Sequence, residues 1–99
     1  MNIQKEMQVF TTAAKMLKSV AHPVRIEIIN HLIKRKGLTV NDLKEKLRIT
    51  QSMTSQHLAV LKNAGILDCK KQANTCCYFI RNKNILKLLD CVECCAKAR

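Results

Sequence analysis

The chain has 99 residues, with 18 Lys or Arg against 7 Asp or Glu, for a formal net charge of +11. That length suits a single domain over 1–99 and excludes a large enzyme barrel or separate catalytic and cofactor domains. A hydrophobic content of 47% with 25% charged residues excludes wholesale disorder, and the excess charge calls for a polyanionic partner, nucleic acid before an anionic membrane surface.

With Phe10, Tyr78 and Phe79 as the only aromatics, the core has to be built from Leu, Ile, Val, Met and Ala. The opening Met1–Gln8 carries an acid and no apolar run, so it is not a signal peptide. No apolar stretch approaches the roughly 18 residues of a membrane span. A cytoplasmic protein with reduced thiols is the expectation.

Ile3, Met7, Phe10, Ala14, Leu17 and Ala21 step by three and four, the stripe of a first helix. Pro23 suits the first turn of a second helix, whose buried face is Val24, Ile28, Ile29, Leu32 and Ile33. Lys34, Arg35, Lys36 and Gly37 end it, cations at the dipole's negative end and then a glycine stop. Thr39 caps a short third helix carrying Val40, Leu43 and Leu47, with Asp42 three residues on. Thr50 caps a fourth helix from about Gln51 to Ala64, closed by Gly65.

The period then changes to two short strands, Ile66–Lys71 and Thr75–Ile80, around Gln72, Ala73 and Asn74. A last helix spans about Asn82 to Lys97, with Ile85, Leu88, Leu89, Val92 and Ala96 on one face. The expected fold is mainly α with a small β-hairpin: four helices, two strands and a helix. Short connections between the second, third and fourth helices are those of a helix-turn-helix, and the hairpin makes it a winged helix-turn-helix.

On the fourth helix, Thr54, His57, Leu58, Leu61 and Ala64 share one side, and Ser52, Ser55, Gln56, Ala59, Lys62 and Asn63 the other. Gln and Asn can bond an adenine edge in pairs, Ser a base or a phosphate, and Lys a phosphate. Solvated helix faces usually mix Glu with Lys, yet from Lys46 to Leu89 the only acid is Asp68, against eight bases. The hairpin tip, with Lys70, Lys71 and Asn74, fits a wing gripping backbone or minor groove.

Ala21-His22-Pro23-Val24-Arg25, then Leu38-Thr39-Val40-Asn41-Asp42-Leu43, resembles the arsenical-resistance repressor (ArsR/SmtB) family. So does Thr50-Gln51-Ser52-Met53-Thr54-Ser55-Gln56-His57-Leu58, with Leu61-Lys62-Asn63-Ala64-Gly65-Ile66-Leu67. The resemblance covers about residues 14 to 98. It implies a homodimer joined through the terminal helices (about 4–21 and 82–97), acting on double-stranded DNA as a repressor released by an inducer. It also assigns Gln51, Ser52, Ser55, Gln56 and His57 to the DNA-reading helix. For His57 the wheel leaves packing and phosphate contact both open.

Family members often sense a metal or metalloid. The Cys-x-Cys pattern at the start of the third helix is absent, since Thr39 and Asn41 stand there. The Asp/His-rich pattern on the last helix is absent too. What remains is Cys91, Cys94 and Cys95, spaced so that two or three thiolates can converge on a soft metal or metalloid ion. The wheel splays them, with Cys95 near the apolar stripe, Cys91 at its border and Cys94 on the polar side. A second subunit or another cysteine is needed to close a site. No cofactor is required for the fold.

Redox chemistry is the rival. The family's pairing of a cysteine on the second helix with one on the last is ruled out here, because the second helix has no cysteine, but Cys69 and Cys77 can face each other across the hairpin. Plain packing in a dimer interface and wing is the third reading. A regulator without a sensor, controlled by abundance or a protein partner, also stands. A thiol redox enzyme fits less well, because Cys91-Val-Glu-Cys94 lies near the end of a helix rather than opening one.

Overall fold

A computed structural model describes residues 3–98; Met1, Asn2 and Arg99, the ends of the expected 1–99 domain, lie outside the described residues. The elements are α1 (Ile3–Val20), α2 (Pro23–Lys34), β1 (Leu38–Thr39), α3 (Val40–Leu47), α4 (Gln51–Asn63), β2 (Leu67–Gln72), β3 (Thr75–Ile80) and α5 (Asn84–Lys97).

Local chemistry places the helix starts. Pro23 occupies the first turn of α2, and the His22 ring accepts the Val24 N–H at Nδ1, 3.1 Å away. Thr39 Oγ1 accepts from the Asp42 N–H and Asp42 Oδ2 from the Thr39 N–H, each at 3.0 Å. That reciprocal box satisfies two of the backbone donors a helix start leaves unpaired. Those bonds hold the Asp42 carboxyl below its ordinary value of 3.8. Thr50 Oγ1 accepts from the Met53 N–H at 3.1 Å and starts α4. Gly65, at φ +78°, turns the chain from α4 towards β2, a conformation open to glycine without a Cβ penalty.

The core lies where α2, α3, α4 and the base of the sheet meet. Ile28, Ile29, Leu38, Leu43, Leu58, Leu61, Ile66 and Leu67 are fully buried, and Ile85 and Leu89 anchor α5 against them. Fully burying each such side chain stabilises the fold by about 1.5–3 kcal/mol relative to exposure. On α2 the expected apolar face holds for Ile28, Ile29 and Leu32, whereas Ile33 is 46% exposed.

The sheet has three strands in the order β1-β3-β2, one more than the hairpin expected from sequence. Leu38 pairs with Tyr78 and Thr39 with Cys77. Two residues carry no alternation of their own, and only the edge offered by β3 makes them a strand.

The hairpin register also departs from one expectation. Cys69 pairs with Tyr78, and Cys77 with Lys70, so Cys69 and Cys77 lie on opposite faces and do not meet. A one-residue change of register flips every side chain, and the two-residue turn Ala73-Asn74 sets the register actually adopted.

The terminal helices are the least enclosed. Only Ser19 and Val20 of α1 are buried, while Ile3, Met7, Val9, Phe10 and Leu17 stand exposed, as does Val92 on α5.

Candidate nucleic-acid interface

The buried side of α4 is Thr54, Leu58 and Leu61, with His57 and Ala64 half-buried. Helical geometry therefore turns Gln51, Ser52, Ser55, Gln56, Lys62 and Asn63 outward together, and all six are exposed. The hydroxyl of Thr54 is satisfied within the helix, donating to the Thr50 carbonyl at 2.8 Å. Beyond α4, the hairpin tip presents Lys70, Lys71 and Asn74, also exposed. Ala73 turns that tip at φ +56°, a left-handed conformation seldom taken by residues other than Gly, Asn or Asp.

Charge on this face is of one sign. Asp68, the only acid from Lys46 to Leu89, is already engaged: Oδ1 accepts the Cys69 N–H at 2.8 Å and Oδ2 lies 3.9 Å from Arg81. The Lys62 ammonium is held above its ordinary range chiefly by hydrogen bonding to Cys69, with further attraction from Cys69, Tyr78 and Asp68. It stays cationic at any physiological pH.

His57 has a different place from the outward-facing residues of α4. Its Nδ1 accepts from Arg25 Nε at 3.0 Å, and its ring centroid lies 4.6 Å from that of His22. Arg25 Nη1 also donates to the Ser19 carbonyl at 3.2 Å. One guanidinium thus ties α4 to the corner between α1 and α2. Burial first, then the neighbouring His22 and Arg25, lowers the His57 pKa below 6.5. The ring accepts at Nδ1 as a neutral imidazole, the form that depression favours. In the sequence Arg25 stands out only as part of a motif; no local signal shows that it reaches a residue 32 positions away.

Cys91, Cys94 and Cys95 are all exposed on α5, Cys95 included, although the wheel sets it beside the apolar stripe. The stripe is buried only at Ile85 and Leu89, and Val92 and residues 94–98 are exposed. Among the described residues, no three His, Cys, Asp or Glu side chains gather to hold a metal ion. No helix among them is long and apolar enough to cross a membrane.

Comparison with known proteins agrees with this geometry. Residues 22–68 match the family described as bacterial regulatory protein, arsR family. The transcriptional repressor PagR of Bacillus anthracis is 36% identical over 83 residues, 81% of this chain and 83% of that protein. Its crystal structure superposes with a TM-score of 0.78 at 30% identity, covering 87% of this chain and 98% of the other. The transcriptional activator HlyU of Vibrio cholerae is 32% identical over 90 residues, 91% of this chain and 82% of that protein. A homodimeric winged helix-turn-helix DNA-binding domain from Mycobacterium bovis shares the fold at a TM-score of 0.86 with 18% identity, covering 97% of this chain and 88% of the other. The chain belongs to the arsR family of bacterial regulatory proteins and is a winged helix-turn-helix transcriptional regulator.

Proposed function

We propose that this regulator is a cytoplasmic repressor that binds operator DNA as a homodimer, with α4 in the major groove and the hairpin tip on the flanking backbone or minor groove. The observation that carries this reading is the outward face of α4. It is polar and free of acids, the hairpin beyond it exposes Lys70 and Lys71, and the one nearby carboxylate lies 3.9 Å from Arg81. In these roles Ser52, Ser55 and Gln56 read base edges, Gln51 and Asn74 bond the backbone, and Lys62, Lys70 and Lys71 neutralise phosphates. His57 acts through position: held by Arg25, it fixes the rotation of α4 about its axis.

The dimer interface is assigned to α1 and α5. Ile3, Met7, Phe10 and Leu17 form a stripe with no partner in the chain's own core, and a monomer exposing such a stripe gains by covering it with a second copy. The Mycobacterium bovis domain that shares the fold is described as homodimeric, which supports a homodimer here. Two-fold symmetry then presents two α4 helices to successive half-sites.

Release is assigned to a thiol-directed signal at Cys91, Cys94 and Cys95, either oxidation by reactive sulfur or capture of a soft metal or metalloid. Their support is exposure together with their place on a helix assigned to the dimer. Nothing in the site's geometry calls for catalysis, and an enzymatic role is not proposed.

The test is a binding titration on the DNA upstream of the chain's own gene, run reduced, then with polysulfide or oxidant, then with As(III), Cd(II) or Zn(II). Specific binding lost with one agent supports the reading and names the signal. Indifference to all of them leaves a regulator without a thiol sensor, controlled by abundance or a protein partner. Absence of specific binding in every condition overturns the repressor. A reporter behind the same DNA separates repression from activation, since PagR is called a repressor and HlyU an activator.

A further inference from the structure

The cysteines of the hairpin take no part in that function. Cys69 lies opposite Tyr78, and Cys76 lies opposite Lys71. Because side chains alternate along a strand, Cys69, Lys71, Cys76 and Tyr78 share one face, and Cys77 points to the other. There its thiol donates to Gln72 Oε1 at 3.8 Å.

The Gln72–Thr75 pair closes a two-residue turn and is therefore hydrogen-bonded. Alternation along the ladder then makes Lys71–Cys76 and Cys69–Tyr78 non-hydrogen-bonded pairs, whose side chains approach closest. Cys69 and Cys76 are diagonal neighbours across these two pairs. The right-handed twist of a hairpin draws in this diagonal, which joins the first-strand residue farther from the turn to the second-strand residue nearer it. Tyr78 registers both thiols: burial raises its pKa most, and Cys69 and Cys76 raise it further. Lys62 of α4 interacts with Cys69, and Lys71 is the residue paired with Cys76 across the ladder.

Diagonal residues of a sheet have Cα atoms about 7–8 Å apart, whereas a disulfide needs about 4.4–6.8 Å. The two sulfurs cannot join directly without moving the backbone, but one atom can stand between them. We propose that Cys69 and Cys76 form a two-sulfur clamp for a soft closed-shell cation that accepts linear dithiolate coordination, the class of monovalent copper or silver and divalent mercury. Thiolates select soft ions, and a tetrahedral zinc site needs four ligands, which this face does not supply. On binding, each S–H gives its proton to water, two sulfur–metal bonds form, and no electron is transferred. Lys62 and Lys71 offset the charge of the two thiolates. The clamp shares Lys62 and Lys71 with the proposed phosphate contacts, and its test is therefore run without DNA.

The test uses the full chain with Cys91, Cys94 and Cys95 replaced by Ser, leaving three thiols. One equivalent of Ag(I) or Hg(II) is added against excess glutathione; after desalting, iodoacetamide is applied and the intact mass read. Metal-free protein should take three alkyl groups and loaded protein one, on Cys77. Cys69→Ser and Cys76→Ser should each lower metal retention against glutathione at least tenfold, and Cys77→Ser should leave it unchanged. Alkylation of Cys69 or Cys76 in loaded protein overturns the clamp. So does equal loss in Cys77→Ser, equal retention of Zn(II), or no retained metal. The alkylation footprint is taken on an unsubstituted hairpin, so it does not depend on the single variants folding.

Discussion

His57 shows how much one side chain's role depends on what lies across from it. A proton on Nδ1 would face the Arg25 N–H that now donates to it at 3.0 Å, and the ring is already held below its ordinary 6.5 by burial and by His22 and Arg25. The unfolded chain therefore takes up a proton near pH 6.5 that the folded chain refuses until lower pH. Stability present above that point is lost as pH falls below it. Thermal melting between pH 7.5 and 5 should show a falling midpoint, and His57→Gln, which keeps an acceptor for Arg25, should flatten the fall. Asp42 has the same sign in a separate window. Its carboxyl lies below 3.8, so its stabilisation is complete above that value and disappears as pH drops through the lowered pKa. Thr39→Ala removes one half of the box that holds it and should cost about 1–2 kcal/mol in denaturant unfolding. NMR titration should show Asp42 returning towards its ordinary range.

At the scale of elements, the proposed binding is divided between α4 and the hairpin, and substitutions should separate their contributions. Lys70→Gln with Lys71→Gln should make the slope of log affinity against log salt shallower by about 0.9 for each phosphate no longer neutralised, with sequence preference unchanged. Gln56→Ala should cost about 1–3 kcal/mol at one base-pair position and leave the salt slope alone. If both substitutions changed the slope and neither changed preference, α4 would not be reading bases. These assignments follow from patterns local in sequence: a 3.6-residue period, caps at Thr39 and Thr50, and an absence of acids. The hairpin was legible as two strands but not in its pairing. Strand period tells which residues alternate, while the turn and β1 decide which partner each one meets.

On the scale of the whole molecule, the extents of 47 × 36 × 21 Å reflect terminal helices that are only partly absorbed into the core. Phe10 is 61% exposed and Met7 57%, large for apolar side chains on a regular stripe. Phe10→Asp should leave helical circular dichroism intact, convert a dimer to a monomer in analytical ultracentrifugation, and weaken operator binding by tenfold or more through loss of the linked second half-site. A variant that stays dimeric would move the interface away from the middle of α1.

The sequence by itself determined the order of the helices, the caps that start α3 and α4, the winged helix-turn-helix class and the polar, acid-free outward face of α4. Each of these is written within a turn or two of helix or one strand length, where propensity, capping and charge act between near neighbours. Tertiary structure alone decided the third strand at Leu38–Thr39, the opposite faces of Cys69 and Cys77, the shared face of Cys69 and Cys76, and the tie from His57 to Arg25. Those features join residues far apart in the chain, and their geometry is settled by packing and twist after the local elements have formed.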